Sequence, residues 1–220
     1  MDNILTSLGL MSGTSMDGID ASIIRSDGVS HLKILADDFL VYKPDFKQKL
    51  RNYIGNIYSL EDIENSIDEY KKLENELTLY HSEISKKILA KQDTQVDLVG
   101  FHGQTIIHKP EKKHSIQMGN PNLLSQLIKK EVVFNFRKND IENNGEGAPL
   151  APIYHSLLSK IIYPEEPCII LNIGGISNFT YCNKDELIAK DIGPGNVLID
   201  EYLKKTKNIE FDKDGLIASS

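Results

Sequence analysis

The stretch that most limits how this chain can fold is residues 9–20, GLMSGTSMDGID. Apolar residues lead into it (Ile4, Leu5, Leu8, Leu10), and an alternating run leads out, with Ile19, Ala21 and Ile23 set against Asp20 and Ser22. That pattern predicts a strand, a tight polar turn and a second strand. Glycine lets a backbone approach a ligand closely, and hydroxyls with free N–H groups can cradle an anion. Asp17 and Asp20 would repel a bare phosphate, so they fit a divalent cation held between carboxylate and phosphate. An ordinary turn is the competing reading, but the hydroxyls of Ser12, Thr14 and Ser15 with two carboxylates exceed what a turn needs.

Composition narrows the setting. The 220 residues allow one large or two modest domains, and a net charge of −7 argues against non-specific binding to nucleic acid. Only Cys168 and Cys182 occur, which fits a reducing compartment. No basic segment followed by an apolar core opens the chain, and no apolar run approaches the roughly 20 residues of a membrane span. A cytoplasmic protein without membrane or nucleic-acid partners is expected.

Beyond the hairpin, Leu32–Tyr42 predicts a third strand of a meander, and Pro44–Tyr53 a short helix. Ser59, with Asp62 three residues on, forms a capping box for one long helix whose apolar stripe runs Ile63, Ile67, Tyr70, Leu73, Leu77, Tyr80, Ile84, Ile88. Val96–Gly100 predicts a buried strand that ends at Gly100-Phe101-His102-Gly103-Gln104-Thr105, a place suited to ligand contacts. Gln104 offers both a donor and an acceptor to sugar hydroxyls. His102 is either structural or an acid–base group. With His108 and His114 it is too widely spaced for a metal site. Asn120 suits the N-cap and Pro121 the first position of a helix.

Val132–Phe136 predicts a buried strand running into Arg137-Lys138-Asn139-Asp140 and then the glycine-containing loop Asn144–Leu150. Asp140 is the best general-base candidate, a carboxylate leaving a strand beside a cation and a loop able to close over substrate. A salt bridge to Arg137 is the structural alternative. A helix follows over Ala151–Ile162, and Pro164–Pro167 is the one plausible domain boundary. The pattern then restarts: strand Cys168–Ile173, turn Gly174–Asn178, return strand Phe179–Cys182, a short strand Leu187–Lys190 and the loop Asp191–Asn196. Val197–Leu203 begins a helix, with a loop over Lys204–Asn208. Two phosphate-sized glycine turns, one opening each half, suggest a duplicated architecture with nucleotide in the cleft between halves.

Five ordered blocks carry a resemblance: GLMSGTSMDGID, GFHGQTIIH, QMGNP, FRKND with GEGAPLAPIYH, and LNIGGISN with DIGPGN. Together they resemble the anhydro-N-acetylmuramic acid kinases, bacterial enzymes of cell-wall recycling in the sugar kinase, Hsp70 and actin superfamily. The resemblance implies an α/β fold of RNase H-like (actin-like ATPase) domains, duplicated in the family. Here residues 1–166 would form the first domain and 167–220 the start of a C-terminally truncated second. It implies ATP as phosphoryl donor and Mg²⁺ held near Asp17. ATP phosphates would lie on Gly13, Thr14, Ser15, Met16, Asp17, Gly18, Ile19 and Asp20, with Gly174, Gly175 and Asn178 as the second phosphate-side turn. The anhydro amino sugar would meet His102, Gly103, Gln104, Thr105 and Gly147, with Asp140 as catalytic base on the water that opens the anhydro ring. A homodimer and a separately encoded C-terminal half are also expected. The alternative is an inactive remnant or half-enzyme that binds sugar or phosphate only. The chain departs from the family pattern at Asn135 (usually Asp), Asn144 (usually Gly) and Glu146 (usually Gln).

Overall fold

The computed structural model describes residues 4–91, 93–184 and 186–220, and the chain forms two compact units, 1–148 and 149–220. The first opens with β1 (Leu5–Ser12), β2 (Gly18–Ser26) and β3 (Leu32–Val41), the expected antiparallel meander. After α1 (Pro44–Gly55) comes α2 (Leu60–Asn65), then α3 (Ile67–Leu89). The chain continues through β4 (Leu98–Lys109), β5 (His114–Met118), α4 (Pro121–Ile128), β6 (Val132–Val133) and α5 (Lys138–Glu142). The strands lie in the order β3-β2-β1-β4-β5, with β6 also on β4. β4 runs parallel to β1 and β6, so the sheet is mixed, and the fold of this unit is mixed α/β.

Alternation in β1 and β2 turns Leu8, Leu10, Ile19, Ala21 and Ile23 to one face. There they meet Phe46 and Leu50 of α1 and Leu77, Ile84 and Ile88 of α3 in a single core. Each fully buried aliphatic side chain contributes about 1.5–3 kcal/mol. Tyr42 sits in the same core, its ring edge-on to Phe46 with centroids 5.0 Å apart.

Three local expectations change. The capping box at Ser59 and Asp62 forms, but it starts the short α2, and the chain breaks at Ser66 (φ −118°, ψ 27°) before α3 begins. The apolar stripe continues across the break, which is why periodicity alone reads one helix. The His102–Thr105 segment does not follow a strand end. It is the middle of β4, held by β1 on one side and β5 on the other. The strand expected over 132–136 is only Val132–Val133: Asn135 takes a left-handed φ of +58°, and Phe134 and Phe136 are exposed. Asp140 therefore sits in α5 rather than at a strand end.

The second unit begins with α6 (Ala151–Ile162), followed by β7 (Cys168–Ile173), β8 (Ile176–Asn183), β9 (Glu186–Pro194) and α7 (Val197–Lys207). α7 continues through Lys204–Lys207, which the sequence reads as loop. The three strands form an antiparallel sheet in chain order. Helix α6 packs on it, with His155 Nδ1 2.8 Å from Thr180 Oγ1. This contact groups α6 with the strands after it, so the units divide at Ala148/Pro149, where the sequence suggests 166/167. On the sheet's other face Ile169, Leu171 and Ile173 stand exposed. Cys168 and Cys182 are cross-strand neighbours and both free thiols.

Candidate active site

The β1–β2 turn is closed by the Met16 N–H donating to Gly13 O at 3.1 Å, and Met16 takes a left-handed φ of +54°. Thr14, Ser15 and Asp17 are exposed at its tip, while Gly18 and Ile19 are buried. The Ile19 side chain belongs to the core, so of the expected phosphate-binding residues it can offer only backbone. Asp20 is exposed on β2, paired with Met11 and Phe39, and partial burial raises its carboxyl above the usual value.

Helix α1 brings two cations to this turn that the sequence reading missed. Lys47 Nζ lies 2.6 Å from Asp17 Oδ1, and Arg51 donates to Ser15 O at 3.4 Å. Burial alone would raise the Asp17 carboxyl. The hydrogen bonds from Lys47 and Ser15 and the charges of Lys47 and Arg51 outweigh it and hold the carboxyl below its ordinary value. Among the described residues no three His, Cys, Asp or Glu side chains gather as a metal cage. One or two carboxylates completed by substrate phosphates is the usual way proteins hold Mg²⁺, and the exposed Asp17 with its hydroxyl neighbours fits that donor set.

Behind the turn runs a buried polar chain. Ser12 Oγ lies 2.8 Å from Tyr42 Oη and donates to Gln104 Oε1 at 2.6 Å. Gln104 is only 1% exposed. In this position it braces the β1–β2 turn against β4. Tyr42 is pushed well up by desolvation, so it stays a neutral hydroxyl.

His102 is also bonded within the fold. Its Nδ1 is 2.9 Å from Gly103 O, and its Nε2 is met by Arg137 Nε at 3.1 Å and Nη2 at 3.0 Å. Both ring nitrogens are thus engaged within the chain. Burial lowers its pKa, with the Arg137 charge acting in the same direction against the bond to Gly103 O. Next to it Gly103 takes φ +69°, and any Cβ there would strike the Met118 carbonyl oxygen, so this position in β4 demands glycine. Thr105 is half-buried opposite Gln117.

Arg137 Nη1 donates to Gly147 O at 2.6 Å, and the Gly147 N–H donates to Asp140 Oδ2 at 2.6 Å. Arg137 thus reaches His102 and Gly147, and the carboxylate of Asp140 braces the loop. Asn144 occupies a left-handed φ of +68°, a conformation asparagine tolerates, which accounts for asparagine standing where glycine is usual. Nothing in the structure explains Asn135 in place of aspartate beyond the same tolerance at φ +58°.

In the second unit, the Gly174–Gly175 turn is tied to the loop after β9. Gly195 N donates to Gly175 O and Asn196 N to Gly174 O, both at 2.9 Å. A Cβ on Gly195 would strike the Gly174 carbonyl oxygen. Asn178 pairs with Asp191 where the β8–β9 register shifts, so the exposed Asp191 lies at a bulge beside the glycine turn. Bulges of this kind re-aim side chains and occur next to active sites.

The chain is similar to known proteins over nearly its whole length. An anhydro-N-acetylmuramic acid kinase of Pelagibacter ubique (strain HTCC1062) is 48% identical over 218 residues, 98% of this chain and 58% of that protein. The enzyme of the same name from Bradyrhizobium diazoefficiens is 37% identical over 220 residues, 98% of this chain and 60% of that protein. That from Agrobacterium fabrum is 36% identical over 225 residues, 100% of this chain and 60% of that protein. The chain thus spans about 60% of the length of these relatives. The family model for anhydro-N-acetylmuramic acid kinase matches residues 5–220, and the chain belongs to that family.

Proposed function

We propose that this chain supplies the phosphate-side and sugar-side elements of an ATP-dependent kinase. The enzyme would convert 1,6-anhydro-N-acetylmuramic acid to N-acetylmuramic acid 6-phosphate in cell-wall recycling. The observation that carries the reading is a rigid linkage within the first unit. The exposed Thr14–Ser15–Asp17 turn is bonded through Ser12 and Gln104 to β4, and β4 holds the Asp140 loop through His102 and Arg137. Phosphoryl transfer depends on such positioning of phosphate ligands and a water-activating carboxylate. Similarity over the whole chain favours a kinase over an inactive remnant. We assign the two units to the two RNase H-like domains of the superfamily, and a cytoplasmic setting follows from the reaction. Among the described residues no helix is long and apolar enough to cross a membrane.

In this reading backbone N–H groups of residues 13–17 contact ATP phosphates, and the Gly174–Gly175 turn of the second unit is, taken by itself, a second candidate phosphate turn. Mg²⁺ held by Asp17 would offset charge on the transferring phosphoryl group. A carboxylate takes a proton from water as the water oxygen bonds to the anomeric carbon. The bond from that carbon to the bridging oxygen breaks, and the bridging oxygen, still on carbon 6, takes the γ-phosphoryl group as ADP leaves. Asp140 is the carboxylate the FRKND block assigns, with Oδ1 as the proton acceptor while Oδ2 holds Gly147 N–H. Asp191 is a second candidate, favoured by its exposed place on the bulge beside the glycine turn.

Asp140→Asn and Asp191→Asn separate the two. Asparagine at 140 keeps an oxygen for the Gly147 N–H and removes only the base. The proton-accepting carboxylate is the one whose replacement lowers sugar-dependent ADP formation by about 10²–10⁴-fold. Equal, small losses in both variants would remove carboxylate catalysis from the account.

A further inference from the structure

We propose that His102 is a positioning residue: a permanently neutral hydrogen-bond acceptor that fixes Arg137 and, through it, the Asp140–Gly147 loop. The inference rests on the kinase reading only for its effect on turnover. The guanidinium of Arg137 carries donors and no acceptor, so the nitrogen it meets must be a bare lone pair. Two of its donors converge on His102 Nε2 at 3.0–3.1 Å, which assigns the ring proton to Nδ1, donating to Gly103 O at 2.9 Å. The ring cannot then act as an acid without breaking one bond or the other. Its orientation is set by β4, where the tight approach of Gly103 to Met118 O leaves no slack.

Arg137 carries the constraint onward. Its third nitrogen holds Gly147 O at 2.6 Å, and the N–H of the same glycine is held by Asp140 Oδ2 at 2.6 Å. Gly147 is clamped from both sides of its residue, with Ile141 and the Arg137 stem against its Cα. Residues 35 apart in sequence thus form one rigid link from the central strand to a loop that has little regular structure of its own. Removing the acceptor at His102 releases Arg137, and the loop loses the hydrogen-bonded connection to β4 that runs through it.

The test compares His102→Ala, His102→Asn and His102→Gln by hydrogen exchange over residues 143–148 and by steady-state kinetics. A glutamine side-chain oxygen reaches the place of Nε2 and can accept from Arg137, whereas asparagine reaches only the place of Nδ1. Alanine and asparagine should speed exchange at Gly145–Gly147 at least about tenfold. They should lower kcat by about 10–100-fold with KM for ATP nearly unchanged, the effect of a misplaced loop. Glutamine should restore both. Arg137→Met should reproduce the alanine result and covers the case in which His102→Ala fails to fold. Unchanged exchange in folded His102→Ala and Arg137→Met, or glutamine behaving like alanine, would overturn the proposal. Faster exchange without any sugar-dependent turnover in the unaltered protein would leave the positioning role standing and reject the kinase reading.

Discussion

Lys47 Nζ lies 2.6 Å from Asp17 Oδ1, an ion pair that ties helix α1 to the turn carrying the phosphate-sized hydroxyl cluster. Asp17 is half-exposed in this pair, so its contribution to folding is small, about 0–1 kcal/mol. Its pKa is lowered in the folded chain, so that contribution is complete above the unfolded value of 3.8 and lost as pH falls through the folded value. Lys47→Met is expected to leave thermal stability within about 1 kcal/mol. It should weaken ATP binding by up to about tenfold, the loss of one charge-assisted contact near the phosphates. Thermal unfolding and nucleotide titration of the variant check both.

Gln104 is buried and takes the Ser12 hydroxyl at 2.6 Å. Gln104→Leu leaves that hydroxyl with only Tyr42 as partner and is expected to cost about 1–3 kcal/mol. Urea unfolding monitored by circular dichroism measures it. The paired change Ser12→Ala in the same background should recover none of the loss, because it takes from the buried Tyr42 hydroxyl its Ser12 partner.

His81 is the buried base the fold tolerates without a second partner. Its Nδ1 is 2.9 Å from Leu77 O, its Nε2 has no partner among the described residues, and its ring stands edge-on to Phe101 at 4.8 Å. Desolvation lowers its pKa from 6.5 to about 4. Between those values the unfolded chain binds a proton that the folded chain refuses. Stability is therefore undiminished above pH 6.5 and falls as pH drops toward 4, by up to about 3 kcal/mol from this group. His81→Leu should flatten the pH dependence of stability over that window. A variant curve parallel to that of the unaltered protein would contradict the assignment.

Leu77 is fully buried where α3 meets the sheet. Leu77→Ala is expected to destabilise the first unit by about 2–5 kcal/mol, through lost transfer energy and the cavity left behind. Chemical unfolding gives the value directly.

Elements set by local rules were legible in the sequence. The β1–β2 hairpin, β3 and the β7–β8 hairpin follow from alternation, α1 and α6 each carry a proline in the first turn, and the Asn120 cap of α4 holds Leu123 N as its residue type demands. What was not legible depends on partners distant in the chain. β4 runs through His102 and Gly103 because β1 and β5 flank it, although glycine and histidine there look like the start of a loop. Asn135 ends β6 early by taking a left-handed conformation that the apolar run Val132–Phe136 conceals. The break at Ser66 is invisible because the apolar stripe does not change phase across it. The Lys47–Asp17 and Arg137–His102 pairs span 30 and 35 residues, and no local spacing signals either. The five glycine-bearing blocks pointed to the right family, while the roles of Gln104 and His102 as braces emerged only from burial and hydrogen bonding.

The measurement that tests the account most directly is product formation by the purified protein from ATP, Mg²⁺ and 1,6-anhydro-N-acetylmuramic acid, read by mass spectrometry. The account predicts sugar-dependent ADP release and a product heavier than the sugar by one phosphoryl group and one water. ADP release that ignores the sugar, or a folded protein that forms no phosphorylated sugar, would contradict it.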